Sequence, residues 1–432
     1  MRRRGTSAVC MPISYGSVAR RGRAPSLPTI CWGRCSSMAT LPAHDMGSAA
    51  NAFRAEVRTW LAKNWTPENQ AAHRRKPFKE RGWDAEFSKL MGRDGWIGVG
   101  WPRKFGGQGC SVTEQLAFVT EMANSGAPVQ AHSTGESIVA QALFKHGTQE
   151  QQDEWLPAIR RGERSFALGY SEPEAGSDLA ALRTRAVRDG DHWVVNGQKL
   201  WSTGGDKAEY IWLAVRTDPE AKKHAGISVL IVDLHSPGVT LRPSLALYGK
   251  TFSAQFYDNV RVPATNMVGA VNDGWKVITD ALAAERVMIG GTRMAGIERA
   301  FDRLTEYLKT AVVGGKALRN DPVVRDRIGA LAADIEIARQ FQMRNSRLIE
   351  QGKVPLHEAA VGKVFASELQ ERLGQAALDI LGTRGLLSED AEGAPLGEME
   401  QLLRHSIMGM IGGGTNEIQR NVIAQRGLDL PR

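Results

Sequence analysis

Two short stretches decide how this 432-residue chain folds: GYSEPEAGSD at residues 169–178 and VNGQKLWST at residues 195–203. The first follows an apolar run at residues 166–168, and its small residues let backbone N–H groups closely approach an anionic or polar ring edge. The second has the residues of a β-strand and ends on an aromatic side chain and two hydroxyls. Together they predict a strand, a polar cradle and a second strand.

The sequence on either side divides into helical and β-type regions. From about residue 47 to 165, apolar residues such as Phe53, Val57 and Leu61 recur at helical spacing. Short β-type runs separated by Asp-Gly, Asn-Gly and Pro-Gly pairs fill residues 166–272, and long helical segments follow. We expect an α+β multidomain chain. It has an N-terminal α-helical domain (47–165), a middle β-barrel or sandwich domain (166–272) and a C-terminal four-helix-bundle domain (273–432).

The formal net charge of +8 comes almost entirely from the first 44 residues, which hold seven arginines and no acidic residue. A nucleic-acid partner would need a basic face on the folded part, whereas the helical segments mix basic with acidic residues. We therefore expect no nucleic acid as a partner. Residues 1–46 are expected to be a disordered or targeting tail, or a segment preceding the true start at Met38 or Met46.

Cysteine usage and hydropathy bear on the compartment. Three cysteines lie in the tail and only Cys110 lies in the body, so we expect neither a disulfide framework nor a cysteine-based metal site. No apolar run is long enough to cross a bilayer. We expect a cytoplasmic protein with no membrane span and no metal, or a mitochondrial matrix protein if the Arg-rich tail is a transit peptide.

A third stretch, GTNEIQR at residues 414–420, lies near the C-terminus. Together with the first two stretches and the helix–sheet–helix order of residues 47–432, it resembles the acyl-CoA dehydrogenases. This resemblance implies FAD as cofactor and an acyl-CoA substrate that loses a proton from its α-carbon and a hydride from its β-carbon, giving a 2,3 double bond. It also implies an electron-transferring flavoprotein as acceptor and a homo- or hetero-tetramer.

The same resemblance assigns contacts to the flavin half of the cofactor. Four residues of the first stretch would contact the flavin or the cofactor's phosphates: Tyr170, Ser171, Gly176 and Ser177. Ser171 stands where the family usually has threonine, and the exchange keeps the hydroxyl. Trp201 would cover one face of the flavin and Thr203 would hydrogen-bond its N5, although a core aromatic on a strand is the alternative for Trp201.

Contacts to the other half of the cofactor are implied nearer the C-terminus. Thr415 and Glu417 would reach the adenine-ribose-phosphate half, and Gly382 lies in LGTRG (381–385), which resembles the loop that meets the adenine of a neighbouring subunit. The family's Arg-x-x-Phe-Gly motif, which touches the partner's pyrophosphate, is AVVGG (311–315) here. This departure implies altered cofactor affinity at that interface, or a different partner chain.

The reaction needs a carboxylate beside the α-carbon in a site that excludes water. Medium-chain members carry it in a Tyr-Glu-Gly-Thr loop, but this chain has GGGT at residues 412–415, so Gly413 stands in the glutamate position. Isovaleryl-CoA and long-chain members use a helical glutamate followed by arginine, which AAER at residues 283–286 matches. Glu285 is therefore the candidate base, and the Gly413 N–H is the candidate donor to the thioester oxygen.

Helical spacing supports Glu285 independently of the resemblance. Ile278, Leu282 and Ile289 share its stripe, and a carboxylate on an apolar face is either paired or has a raised pKa, which suits a base. The alternative is a glutamate ion-paired to a neighbouring arginine. The missing side chain at Gly413 also leaves room, which favours a branched or bulky acyl group.

Two arginines resemble positions that meet the coenzyme A moiety, Arg286 beside the candidate base and Arg339 in EIAR (336–339). Cations suit the phosphates of coenzyme A, and solvated helix charges are the alternative. Two other functions on the same fold stay open: a non-catalytic partner subunit in a mixed tetramer, and a flavin oxidase, which would consume oxygen. The chain has no Gly-x-Ser-x-Gly, P-loop or Rossmann motif, which disfavours hydrolase, ATP and nicotinamide roles.

Overall fold

A computed structural model of the chain describes residues 45–389 and 391–431. The side chains of residues 283–290, within a long helix, lie outside the described residues, as does the expected tail apart from Asp45 and Met46. No helix within these limits combines the length and the apolar character needed to span a membrane.

The N-terminal part of the described chain is helical, as expected. Its helices are α1 (Ser48–Asn64), α2 (Pro67–Arg74), α3 (Ala85–Arg93), α4 (Val112–Ser125), α5 (Gln130–Thr134), α6 (Ala140–His146) and α7 (Gln149–Arg160). Capping boxes at Ser111 and Thr148 fix the starts of α4 and α7. A π-helical turn, Gly135–Val139, joins α5 to α6, and such turns are frequent at functional sites.

The middle part is an eight-stranded mixed sheet. Its strands are β1 (Phe166–Gly169), β2 (Arg185–Asp189), β3 (His192–Thr203), β4 (Tyr210–Arg216), β5 (Ile227–Asp233), β6 (Val239–Leu245), β7 (Thr251–Pro263) and β8 (Met267–Val268). The strand order is β6-β7-β3-β2-β4-β5-β8, and β1 pairs in parallel with β4. The β-type runs expected from the sequence fall within β1 and β3 to β7, whereas the short strands β2 and β8 were not among them. The polar strand β2 links the two halves of the sheet.

The two halves of the sheet share one core. Val195 and Val260 of the β3–β7 half pack in the same buried cluster as Leu213 and Leu230 of the β4–β5 half. A sheet whose two halves share one apolar interior agrees with the expected barrel or sandwich.

Long helices form the C-terminal part: α8 (Gly274–Thr310), α9 (Pro322–Glu350), α10 (Leu356–Leu381), α11 (Glu398–Ile411) and α12 (Asn416–Val422). A small hairpin, β9 (Val312–Val313) and β10 (Lys316–Ala317), separates α8 from α9. Asp321 caps α9 and accepts the backbone N–H groups of Val323 and Val324, with Pro322 at the first helical position. The expected helix–sheet–helix architecture is therefore confirmed.

Candidate active site

The first two motifs meet directly in the sheet. The stretch after β1 lies beside the end of β3, where the backbone N–H of Leu200 donates to the Ser171 carbonyl at 2.9 Å. Lys199 Nζ also donates to the Tyr170 carbonyl at 3.0 Å. Residues that are about thirty positions apart in the sequence thus form one crevice.

A buried ion pair holds this crevice together. Lys199 Nζ lies 2.8 Å from Glu172 Oε1, and the Lys199 side chain is fully buried. The Glu172 carboxylate also accepts the backbone N–H groups of Arg183 at 2.7 Å and Thr184 at 2.9 Å. Because every strong donor and acceptor is satisfied, the pair fixes the crevice geometry instead of leaving a buried charge uncompensated.

The pKa values of the pair follow from this geometry. Burial lowers the pKa of Lys199 to about 8, although the charge and hydrogen bond of Glu172 oppose that effect. Burial alone would raise the pKa of Glu172, but the Lys199 charge and the donated hydrogen bonds lower it below its usual value. Both groups are therefore charged at neutral pH.

Trp201 has an unusual backbone conformation. Its φ of 67° lies in the left-handed region, which costs a non-glycine residue energy, and the β3–β7 register shifts between Lys199 and Ser202. The result is a bulge that leaves the indole 59% exposed. Trp201 is therefore not a core aromatic, and Thr203 is exposed beside it.

The cradle residues suit a flat, polar-edged ring system. Gly176 and Ser177 are exposed, and a Cβ added at Gly176 would have no heavy atom within 4 Å. Tyr170 is fixed because its hydroxyl accepts the Trp212 indole N–H at 2.9 Å. An open loop with a small residue, next to an exposed indole, fits the flavin half of FAD.

A ladder of aromatic contacts joins this crevice to α11. The rings of Trp201 and Phe252 are 5.9 Å apart, Phe252 and Tyr248 are 5.7 Å apart, and Tyr248 stacks on His405 at 4.9 Å. Gln401 of α11 also donates to the Tyr248 carbonyl at 3.4 Å. Since α11 leads into the third motif, the ladder brings that motif to the same side of the sheet as Trp201.

The turn after α11 is open. Gly413 and Gly414 have φ values of 69° and 82°, and a Cβ added at Gly413 would have no heavy atom within 4 Å. The Gly413 carbonyl accepts Gln419 Nε2 at 3.1 Å, whereas the described residues offer its N–H no acceptor. The turn therefore presents a free N–H donor to an open space.

Lys363 holds both ends of this turn. Its Nζ donates to the Met410 carbonyl at 3.0 Å and to Asn416 Oδ1 at 2.6 Å. Asn416 is buried and also bonds the Ser367 hydroxyl at 3.1 Å. These contacts fix the glycine turn from beneath.

Of the residues expected at the adenine half of FAD, Glu417 and Gly382 are exposed and Thr415 is half-buried. Thr415 caps α12 by accepting the Ile418 N–H at 3.2 Å, and Glu417 is exposed on the first turn. Gly382 ends α10 with a φ of 61° and is exposed, and a Cβ there would meet no atom within 4 Å. All three positions are open to a large ligand or a partner chain.

The candidate base and its neighbour lie on α8, but the side chains of Glu285 and Arg286 are outside the described residues. Arg339 is placed differently from the expectation. It is buried, and its guanidinium bonds Glu298 at 2.7 Å and lies 3.4 Å from Glu336. These carboxylates pair with the cation that was expected to meet coenzyme A, so Arg339 joins α9 to α8 instead.

The Lys199–Glu172 pair was not predicted from the sequence, although the strand pattern around Lys199 indicates it. The two-residue period of β3 places Lys199 on the same inward face as Trp193 and Val195. A lysine at an inward position requires an acidic partner, and the neighbouring motif contains one in Glu172.

Comparison with known proteins agrees with this architecture. Three family models match the chain: the acyl-CoA dehydrogenase N-terminal domain over residues 48–163, the middle domain over 167–260 and the C-terminal domain over 272–428. The acyl-CoA dehydrogenase FadE29 of Mycobacterium tuberculosis is 39% identical over 394 residues, covering 90% of this chain and 98% of that protein. FadE26 of the same organism is 40% identical, covering 88% of this chain and 96% of that protein.

Solved structures of related proteins have the same fold as this chain. A structure named Tcur3481–Tcur3483 steroid ACAD superposes with a TM-score of 0.83 at 35% identity, covering 90% of this chain and 100% of that one. The ChsE4–ChsE5 complex from Mycobacterium tuberculosis superposes with a TM-score of 0.82 at 39% identity, covering 89% of this chain and 98% of that one. This chain therefore belongs to the acyl-CoA dehydrogenase family.

Proposed function

We propose that this chain is a FAD-dependent acyl-CoA dehydrogenase that forms a 2,3 double bond in a bulky or branched acyl thioester. The observation that carries the proposal is the aromatic ladder from Trp201 to His405, which joins the flavin crevice to the helix that ends at the glycine turn. Bound FAD supplies the hydride acceptor of the reaction.

The residues of the chain then have separate tasks. Glu285 takes the α-proton, and its position on α8 rests on the family pattern and the helical stripe. The Gly413 N–H donates to the thioester oxygen and stabilises the charge that develops there. Tyr170, Ser171 and Trp201 hold the flavin beside the reacting carbons.

A bulky acyl group agrees with the space at the glycine turn. The absence of a side chain at Gly413 leaves an open volume where medium-chain enzymes carry their glutamate. A relative named as a steroid ACAD is also 35% identical to this chain. We therefore propose a branched or sterol-derived acyl chain in preference to a slim straight one.

A mixed assembly is the second candidate. The hairpin between α8 and α9 exposes Val312 and Val313 where the family's interface arginine motif would lie, so a copy of this chain would not supply that arginine. The ChsE4–ChsE5 structure is itself a complex of two proteins. We propose a tetramer in which a different chain completes the cofactor contact, an electron-transferring flavoprotein as acceptor, and the cytoplasm as compartment.

The test is anaerobic mixing of the purified, FAD-reconstituted chain with a panel of acyl-CoAs, followed by flavin absorbance. Bleaching that is fastest with branched or bulky thioesters is the expected result. Fastest bleaching by straight medium chains would contradict the proposed substrate class. Poor FAD retention with no bleaching by any thioester would favour the partner-subunit role, and rapid reoxidation by oxygen during turnover would favour an oxidase.

A further inference from the structure

Arg293 lies on α8, and its guanidinium packs directly against Gly409 of α11. A Cβ built on Gly409 would come within 2.0 Å of an Arg293 guanidinium nitrogen. Gly409 is buried, so any other residue there would displace the guanidinium. The two positions are therefore matched to each other.

The Arg293 guanidinium has no acceptor among the residues that the structure describes. Other arginines that are at least as enclosed are satisfied, as in Arg54 with Glu121 at 2.8 Å and Arg216 with the Ala225 carbonyl at 2.7 Å. Arg293 is partly buried, and burial lowers its pKa below the usual value. A cation that has lost part of its hydration and has no acceptor among the described residues gains stability from an anionic ligand.

Two further titratable groups lie near Arg293. Lys363 is held by a backbone carbonyl and an amide oxygen, and burial together with the Arg293 charge lowers its pKa to about 8 against the opposing charges of Glu417 and Glu368. His405 stacks on Tyr248, and burial and the charges of Arg293 and Lys250 lower its pKa to about 4, so it is neutral. Arg293 thus lies near a second cation and a neutral imidazole, and the carboxylates in reach of this group are those that act on Lys363.

The position of Arg293 relates it to the proposed reaction centre. Gly409 lies in the last turn of α11, four residues before Gly413. Positions 285, 289 and 293 recur at the four-residue spacing of one helix face, so Arg293 lies about 12 Å along α8 from the Glu285 position. An acyl chain that starts between Glu285 and Gly413 and follows α8 would end at Arg293.

We propose that Arg293 forms a subsite for a carboxylate at the distal end of the acyl group, so that the preferred substrates are mono-CoA thioesters of dicarboxylic acids. This inference rests on the proposed dehydrogenase function. A carboxylate matches the planar, two-pronged donor geometry of guanidinium and supplies the missing negative charge, with Lys363 nearby. A ketone or an ester would supply an acceptor oxygen without the charge.

The test measures discrimination between an acid and its methyl ester. Mono-CoA thioesters of dicarboxylic acids of graded length, and their ω-methyl esters, are titrated into the FAD-loaded enzyme under anaerobic conditions. Wild-type enzyme should bind the acid about tenfold to a hundredfold more tightly than the ester at one preferred length, the range of a charge-assisted hydrogen bond. Arg293→Met should reduce that ratio to near one.

Arg303→Met is the matched control, because Arg303 lies on the same helix but is exposed and paired with Glu398. It should keep the wild-type ratio. Thermal melting separates a binding role from a structural one: the acid should raise the melting temperature of wild type more than its methyl ester does, whereas the two should raise that of Arg293→Met equally. A ratio that is unchanged in Arg293→Met would overturn the proposal.

Titration with free coenzyme A tests whether Arg293 binds a phosphate of coenzyme A instead of a distal carboxylate. If Arg293 bound a phosphate of coenzyme A, Arg293→Met would weaken free coenzyme A as much as the acid thioester, and the proposal would be wrong. Bleaching of wild-type flavin by the methyl esters reports the dehydrogenase activity separately. Failure of that signal would contradict the proposed function, whereas its presence without acid preference would contradict only this subsite.

Discussion

The strand crevice and the glycine turn are built in opposite ways. At the crevice, the buried Lys199–Glu172 pair fixes the backbone on both sides and holds Trp201 in a strained conformation. At the turn, Gly413 and Gly414 leave open space and an N–H that has no acceptor among the described residues, and the segment is held by hydrogen bonds from Lys363 and Gln419. The crevice is pre-organised without a ligand, whereas the turn depends on a ligand to complete it.

This difference indicates which half of the reaction each region serves. A flat ring system needs its contacts in fixed positions, and a satisfied buried ion pair provides that rigidity. A varied acyl group needs volume and donors without side chains in the way, and the glycines provide both.

The largest expected effect tests the rigidity of the crevice. Lys199→Met should lower the free energy of unfolding by about 3–5 kcal/mol, because it leaves the Glu172 carboxylate buried without its cation. Adding Glu172→Gln should recover part of this loss, since an amide oxygen still accepts the Arg183 and Thr184 N–H groups. Chemical denaturation of the single and double variants measures both. Equal stability of Lys199→Met and wild type would show that the pair does not hold the crevice.

Glu136 is an acid without a close cation, and it contrasts with the Lys199–Glu172 pair of the crevice. Glu136 accepts the Gly98 N–H at 2.7 Å and lies 3.8 Å from His132, and burial raises its pKa to about 7. Burial lowers the pKa of His132 to about 4. Between about pH 4 and pH 7 the acid and the imidazole are therefore both neutral, unlike the charged pair at the crevice.

The two shifts have opposite effects on stability. As pH falls from 6.5 to 4, unfolded His132 takes up a proton that the folded form refuses, which destabilises the fold. As pH falls from 7 to 4.5, folded Glu136 already holds the proton that the unfolded chain must gain, which stabilises the fold. As pH falls over this range, the free energy of unfolding of Glu136→Gln should therefore decrease by about 3 kcal/mol relative to that of wild type. Denaturant titrations at several pH values measure this difference. If the free energies of unfolding of Glu136→Gln and wild type changed equally with pH, the raised pKa of Glu136 would be contradicted.

Trp201 offers a test in which stability and binding change in opposite directions. Trp201→Gly removes the left-handed strain and should leave the fold unchanged or about 1 kcal/mol more stable, while weakening FAD binding. Trp201→Phe keeps both the strain and an aromatic face and should retain more FAD affinity. Denaturation and FAD titration of the apo-protein measure the two quantities. A destabilised Trp201→Gly that binds FAD normally would show that the indole serves packing instead.

The smallest effect concerns the end of the glycine turn. Thr415→Ala should cost about 1 kcal/mol through loss of the cap on α12, and Thr415→Ser should cost much less because the hydroxyl remains. If Thr415 also contacts FAD, the alanine variant should lose FAD affinity while the serine variant keeps it. If Thr415→Ser bound FAD as weakly as Thr415→Ala, the proposed role of the hydroxyl in FAD binding would be contradicted.

The sequence predicted the fold class because its signals are local. Helical spacing such as that of Phe53, Val57 and Leu61 and the glycine pairs between strands each depend on a few neighbouring residues. The polar strand β2 was missed because its exposed face carries charged residues instead of an apolar alternation. Local pattern is therefore sufficient for strands with a buried face and insufficient for a connecting strand.

The candidate site could be predicted in part for the same reason. The motifs name the cradle and the glycine turn, but the left-handed φ of Trp201 depends on a register shift against β7, which no local pattern encodes. The position of an arginine on a helix does not predict its contacts. Arg339 pairs with Glu298 across the α8–α9 contact and Arg293 lies against Gly409, and both contacts depend on residues distant in the sequence.

The measurement that tests the central claim most directly is the anaerobic flavin bleaching rate of Glu285→Gln, with Glu306→Gln as the control on the exposed face of the same helix. The account predicts that Glu285→Gln binds FAD and thioester but bleaches about 10²–10⁴ times more slowly than wild type, the usual contribution of a general base, while Glu306→Gln behaves as wild type. Bleaching by Glu285→Gln at the wild-type rate would contradict the claim that the carboxylate missing at Gly413 is supplied from α8.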